Sequence, residues 1–325
     1  MADKGKTSVV VITGATSGIG RATAHAFARK GAALALAARR KDLLERTEEE
    51  CRRFGAEVLA VPLDVTDEQA VHRLAAAAVA RFGRIDVWVN NAAVGLWGRL
   101  EEIPMEDIRR LIDVNVFGYV HGARAVLPIF RVQRSGVLVN VGSMVSRVPA
   151  PYAAPYVMSK HAVRGLGAVL RQELRADGVK GVHVSTVMPA TIDTPFFEHS
   201  GNYVGRELRA MPPVYTPERV ARTIVNCTRL PRREVFVGNT ARVAAQQHKL
   251  APATTERVMA AAVNRLHLYR RRTQPPTPGN LYEPLGQDDG VHGRWHGRRR
   301  TAVRRLATVG LAAAGATLAR RNSGR

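Results

Sequence analysis

Short runs of β-branched and small apolar residues alternate with longer amphipathic stretches through the first two thirds of the chain. Ser8–Ile12, Ala33–Ala37, Val58–Val61, Asp86–Asn90 and Val137–Val141 each read as a buried strand, mostly apolar and bounded by turn-forming residues. Between them apolar positions recur at helical spacing over Arg21–Lys30, Lys41–Phe54 and Glu68–Phe82. A further helix, Pro217–Leu230 with Thr216 as its N-cap, precedes a last strand at Glu234–Val237. This alternation predicts an α/β fold, a doubly wound (Rossmann-like) parallel sheet with right-handed crossovers. In such sheets ligands bind beyond the carboxyl ends of the strands. Gly14, Arg39, Asp64, Asn90 and Ser143 all follow predicted strand ends, so one edge of the sheet collects the candidate chemistry.

The pattern changes after Val237. Thr240–Leu250 and Thr254–Tyr269 read as helices, the second with an apolar stripe of Val258, Met259, Ala262, Val263 and Leu266 that can pack on the body or on a partner. Arg270–His296 is rich in Pro, Gly and Arg and reads as a linker too polar to fold alone. The last stretch sets an uncharged Ala/Gly-rich run, Leu306–Ala319, between arginine clusters.

Charge sharpens that division. The net charge is +22, with 30 Lys+Arg against 22 Asp+Glu in residues 1–228 and 19 against 5 in the remainder. A basic tail on a more ordinary domain points to an anionic lipid surface, nucleic acid or an acidic protein as its partner. The run 306–319 is shorter than the roughly 20 residues that span a bilayer, so a helix lying at an anionic membrane surface is one reading. A solvated or body-packed helix is another; nucleic acid is disfavoured, since no interleaved aromatics accompany the arginines. Cys51 and Cys227 make no disulfide framework, and the N-terminus lacks the apolar core of a signal peptide, so the body is expected to be cytoplasmic.

Two motifs carry chemistry. Thr13-Gly14-Ala-Thr-Ser17-Gly18-Ile19-Gly20 joins the first strand to the first helix, where glycines let a phosphate approach the backbone and the helix N-terminus. Arg39 and Arg40 close the second strand, where an acidic residue would bond the ribose of NAD; two guanidinium groups instead suit the 2′-phosphate of NADP. Further on, Ser143 ends a strand and Tyr156 and Lys160 lie one helical turn apart. A cation beside a phenol favours the phenolate, so Tyr156 is expected to work as a proton donor or acceptor, with Ser143 holding the same substrate oxygen. No metal-ligand set is read.

Together with Asp64-Val65, Asn90-Asn91-Ala92, Asn115 and Pro189-Ala-Thr-Ile-Asp-Thr194, these motifs resemble the short-chain dehydrogenase/reductase family over roughly residues 7 to 240. The resemblance implies seven strands in the order 3-2-1-4-5-6-7. It implies Tyr156 as acid/base, Lys160 as its partner reaching the nicotinamide ribose, Ser143 as the group orienting the substrate, and Asn115 as the holder of a relay water. For the cofactor it implies Gly14, Ser17, Gly18, Ile19 and Gly20 at the pyrophosphate, Asp64 and Val65 at the adenine, Asn90 and Ala92 near the cofactor ribose, and Pro189, Ile192 and Thr194 at the nicotinamide amide. Ala93, Gly142 and Ala190 depart from the family's usual residues without removing a catalytic group.

The expected division is a catalytic NADP-binding domain over 1–240, a helical extension over 241–270, a flexible linker over 271–297 and an Arg-rich tail over 298–325. The expected function is NADP-dependent hydride transfer to or from a carbonyl or secondary alcohol of a lipophilic substrate. Arg147–Tyr152, Gly95–Leu100 and a mobile lid over Phe196–Pro213 would form the substrate walls. A cofactor-sensing protein without turnover, or a membrane-targeted scaffold with this fold, is the alternative. A homodimer is expected through the Tyr156 helix, whose Ala162, Gly165, Gly167 and Ala168 allow close approach.

Overall fold

A computed structural model describes residues 7–285 and 290–295. The tail expected over 298–325, with its membrane-surface reading, lies outside the described residues. Among those described, no helix is long and apolar enough to cross a membrane.

The first strands and helices alternate as the periodicity predicts: β1 (Val9–Thr13), α1 (Gly18–Ala28), β2 (Ala33–Ala38), α2 (Lys41–Arg53), β3 (Val58–Pro62), α3 (Glu68–Phe82) and β4 (Val87–Asn90). A two-residue β5 (Leu96–Trp97) leads into α4 (Met105–Ile112), a single π turn (Asp113–Phe117), α5 (Gly118–Gln133), β6 (Gly136–Val141), α6 (Ala154–Ala176) and β7 (Val182–Pro189). The chain then forms α7 (Phe196–His199), β8 (Gly201–Asn202), β9 (Arg206–Leu208), α8 (Pro217–Arg229) and β10 (Glu234–Val237). α9 (Asn239–Leu250), α10 (Pro252–Ala262), a second π turn (Val263–His267) and β11 (Leu268–Thr273) follow.

Seven strands make one parallel sheet in the order β10-β7-β6-β4-β1-β2-β3. Counting only these strands, the order is the expected 3-2-1-4-5-6-7. Alternate residues of one strand feed two separate cores, because successive side chains point to opposite faces. Val10, Ile12, Leu34 and Leu36 pack with Ala24 and Phe27 of α1 and Val220 and Ile224 of α8. Val11, Ala35 and Ala37 pack with Leu74 of α3, Phe130 of α5 and Leu170 of α6. Burial on both faces is why these strands are apolar without alternation.

The C-terminal region departs from the sequence expectation in two places. Leu268 and Tyr269 end no helix: they open β11, which pairs antiparallel with β9. The partner strand lies about sixty residues upstream, a pairing that local periodicity cannot register. The expected linker over 271–297 is also docked in its described parts. Leu281 is fully buried in the second core and Trp295 packs on Ala210 and Val214. Arginine side chains of the body bind this segment's backbone carbonyls, and that is how so polar a stretch is held without a core of its own.

Candidate active site

A cleft of about 300 Å³ runs along the carboxyl ends of the strands. Gly14, Ser17, Gly18, Ile19, Arg39, Arg40, Asp64, Val65, Ala92, Ser143, Tyr156, Lys160, Pro189, Ile192 and Thr194 all line it. Gly20, Asn90 and Asn115 do not; they act from behind.

The glycine turn is packed too tightly against its neighbours to admit side chains at Gly14 and Gly20. Gly14 has φ +66°, and a Cβ there would come within 2.8 Å of the Ala92 backbone; a Cβ on Gly20 would come within 2.0 Å of the Gly14 carbonyl. Asn91 ties the turn to the end of β4, its Nδ2 donating to the carbonyls of Thr13 (3.0 Å) and Gly14 (3.1 Å). Asn91 is not among the expected site residues, although it lies within the Asn90-Asn91-Ala92 motif. Asn90 is a buried strut: its Nδ2 donates to Tyr119 O and Asn140 Oδ1, both at 3.0 Å, and its Oδ1 accepts from Trp88 Nε1 at 2.7 Å.

Asn115 lies in the first π turn, a distortion of the helical ladder often found at functional positions. Its side chain exchanges two bonds with the Val94 backbone and donates to Ser159 Oγ at 3.1 Å. It therefore pins the loop after β4 to α6, one residue from Lys160. Lys160 is 2% exposed, and its Nζ donates to Val141 O (3.1 Å) and Tyr119 Oη (3.4 Å). The ammonium lies 5.6 Å from the centre of the Tyr156 ring, so the helical spacing does bring the pair together.

The electrostatics correct one expectation. Burial pushes the Tyr156 phenol up to about 12, against a hydrogen bond from Ser143 that pulls it down. The same burial brings Lys160 down to about 7. Removal from water dominates at both groups, because desolvation disfavours the phenolate and the ammonium alike. Tyr156 thus stands as a protonated donor rather than as a ready phenolate.

At the other end of the cleft, Arg110 pairs with Asp64 Oδ2 at 2.5 Å, and the Thr66 amide and hydroxyl donate to Oδ1. Burial raises the Asp64 carboxyl, but these donors together hold it below the usual carboxylate range. Arg39 donates to the carbonyls of Asn280 (2.8 Å), Leu281 (3.3 Å) and Tyr282 (2.9 Å). Arg40 pairs with Asp42 and donates to Leu285 O at 2.9 Å. Both guanidinium groups sit at the cleft, but they also hold the C-terminal segment, which sequence spacing gave no means of seeing.

The end of the cleft around Tyr156 is aromatic. Trp97 lies 6.5 Å from Tyr156, 6.3 Å from Phe197 and 4.4 Å from His267 between ring centres, and Phe196 lies 5.4 Å from Tyr156. Met144, Met211, Met259 and Val263 complete the lining. Of the predicted stripe, which spans α10 and the second π turn, Met259 and Val263 turn inward while Val258 and Leu266 stay exposed. The lid segment over 196–213 is braced by two strand pairs, β5 with β8 and β9 with β11. Tyr203 donates to Asp107 at 2.5 Å.

His267 carries a pH signature. Burial lowers its pKa from 6.5 to about 4, so the folded protein resists a proton that the unfolded chain accepts. Stability should therefore be full above 6.5 and fall as pH drops toward about 4. Urea unfolding should show His267→Gln losing roughly 3 kcal/mol less than the parent across that window. Equal losses in both proteins would show that His267 titrates normally.

An α/β sheet with a glycine cradle at its carboxyl edge, opening toward a Ser/Tyr/Lys cluster, defines a nucleotide-binding oxidoreductase. Residues 8–203 match the family model described as short chain dehydrogenase. The oxidoreductase YxnA of Bacillus subtilis (strain 168) is 35% identical over 282 residues, covering 86% of this chain and 78% of that one. A short chain dehydrogenase/reductase from Burkholderia phymatum in complex with NAD superposes with TM-score 0.68 at 30% identity, over 75% of this chain and 95% of that one. An alcohol dehydrogenase from the archaeon Thermococcus sibiricus, complexed with 5-hydroxy-NADP, gives 0.62 at 32%, over 71% and 96%. The chain belongs to the short-chain dehydrogenase/reductase family, enzymes acting on alcohol and carbonyl groups.

Proposed function

We propose that the protein is an NADP-dependent reductase or dehydrogenase of a lipophilic ketone, aldehyde or secondary alcohol. The observation that carries this reading is the convergence of Ser143, Tyr156 and Lys160 beneath an aromatic pocket, in the same cleft as the glycine cradle. The turn fits a dinucleotide, since Gly14 and Gly20 let it close tightly on itself and against Ala92 while Gly14, Ser17, Gly18 and Ile19 line the cleft. Gly14, Ser17 and Ile19 would hold the pyrophosphate, Asp64 and Val65 the adenine, and Pro189, Ile192 and Thr194 the nicotinamide amide. When bound, the nicotinamide supplies the hydride.

The chain's own residues supply the proton and the alignment. Tyr156, protonated, donates from Oη to the carbonyl oxygen, and Ser143 holds that oxygen as charge builds on it. Lys160 balances the phenolate left behind, and Asn115 fixes the turn of α6 from which both project. Trp97, Phe196 and Phe197 keep water from the reacting carbon and favour an apolar substrate.

Arg39 and Arg40, with no acidic residue at the end of β2, support NADP over NAD. Both cofactor types occur among the structural relatives, as NAD in one and 5-hydroxy-NADP in the other. A homodimer through α6 is part of the same proposal. Met158, Ala162, Gly165 and Val169 form an exposed stripe on that helix, whereas Gly167 is buried against Thr186. Substrate-dependent loss of NADPH absorbance across a panel of alicyclic and aryl ketones tests the activity. Turnover confined to small polar carbonyls, or to NADH, would overturn the corresponding half of the reading.

A further inference from the structure

The C-terminal segment beyond the family-matched region sits on the cofactor cleft rather than away from it. Asn280, Pro284 and Leu285 line the cleft together with Arg39, Arg40, Leu43 and Asp64. They thus form an outer wall facing the residues proposed for the adenosine half. Asn280 Oδ1 is buried there, with no hydrogen-bond partner among the described residues.

The segment is anchored at several points that do not themselves line the cleft. The Leu281 side chain is fully buried in the second core, and its carbonyl accepts from Arg110 Nε at 3.0 Å. Tyr282 Oη donates to Asp107 at 2.9 Å. Past residues 286–289 the chain crosses the nucleotide turn, where the Gly290 carbonyl accepts from the Gly18 amide at 3.2 Å. It then lies along the loop carrying Ile192 and Thr194. Trp295 N donates to Asp193 Oδ1 at 2.6 Å, His292 bridges Asp193 and Glu218, and Gly293 passes so close that a Cβ would come within 2.1 Å of Thr194 O.

The segment therefore touches the strand end, the glycine turn and the nicotinamide loop, and a cleft remains beneath it. Arg39 can serve both sides. A guanidinium carries five N–H donors, and the segment's carbonyls take three. Resting on the dinucleotide reading above, we propose that residues 277–285 and 290–295 form a clasp that belongs to the cofactor site and encloses the adenosine half of a bound NADP(H), with Asn280, Pro284 and Leu285 as its contact residues. Cofactor exit then requires the clasp to lift, and loosening it speeds release.

The experiment uses the full chain. NADPH is bound, chased with excess NADP, and its release followed by nucleotide fluorescence in a stopped-flow instrument. Leu281→Ala removes the buried anchor and should release NADPH about tenfold faster, since the closed population falls. Tyr282→Phe removes only the hydroxyl donated to Asp107, leaves the core intact, and should move release in the same direction by about threefold. Release from both variants at the parent rate, or tighter binding in them, would overturn the clasp; the second result would make the segment a competitor of the nucleotide. Failure of the parent chain to take up NADPH or NADH would instead overturn the dinucleotide reading beneath it.

Discussion

Tyr156→Phe is expected to lower kcat by roughly 10²–10⁴-fold, the usual contribution of a positioned proton donor, while NADPH binds as before. The substitution removes one oxygen and leaves the ring against Trp97 and Phe196, so the aromatic pocket keeps its shape. Ser143 and Lys160 remain, but neither replaces a group standing as a neutral acid in the cleft. The pH profile follows from the second member of the pair. Lys160 has been brought down to about 7 by burial, so its cation is lost as pH rises through that value. Ketone reduction should fall along the same limb, because the phenolate formed on proton transfer loses its counter-charge. Steady-state kinetics over the neutral range, with nucleotide binding measured in parallel, separates the two effects. A variant with parental kcat would remove Tyr156 from the chemistry.

The second large effect concerns nucleotide choice. Replacing Arg39 and Arg40 together by alanine should raise KM for NADPH by about tenfold to a hundredfold, since a hydrogen bond to a charged group is worth about 1.5–3 kcal/mol. KM for NADH should rise by less, through the loosened C-terminal segment that both arginines hold. The carbonyls that Arg39 and Arg40 now serve are neutral acceptors, and a phosphate dianion binds a guanidinium more strongly than they do. Measuring kcat/KM for both nucleotides in parent and variant decides the matter. A parent that already prefers NADH would end the NADP reading without touching the fold or the family.

The placement of the candidate site residues was legible in the sequence wherever it is local. The glycine turn, the strand ends and the one-turn spacing of Tyr156 and Lys160 are short-range patterns, and the backbone has few ways to place them. The seven-strand order followed from family resemblance and is the order found. Non-local pairings were not legible. Nothing near Leu268 announces that it pairs with β9, and nothing near Asn280 announces that Arg39, far upstream, will hold its carbonyl. A stretch poor in apolar residues read as a linker because composition records burial of side chains, whereas this segment is held largely through its backbone. The pKa of Tyr156 was missed for a related reason: spacing reports the neighbouring cation, but only the packed cleft reports how little water reaches either group.

The account stands on a hydride and a proton meeting at one carbon–oxygen bond between the cradle and the aromatic pocket. Incubating the full chain with an alicyclic ketone and NADPH carrying two deuteriums at C4 of the nicotinamide, then weighing the alcohol formed, tests it most directly. The predicted product carries one deuterium on the carbinol carbon and forms roughly 10²–10⁴-fold more slowly with Tyr156→Phe. Alcohol without the label, or no alcohol from any ketone or aldehyde that fits the pocket, would contradict the account.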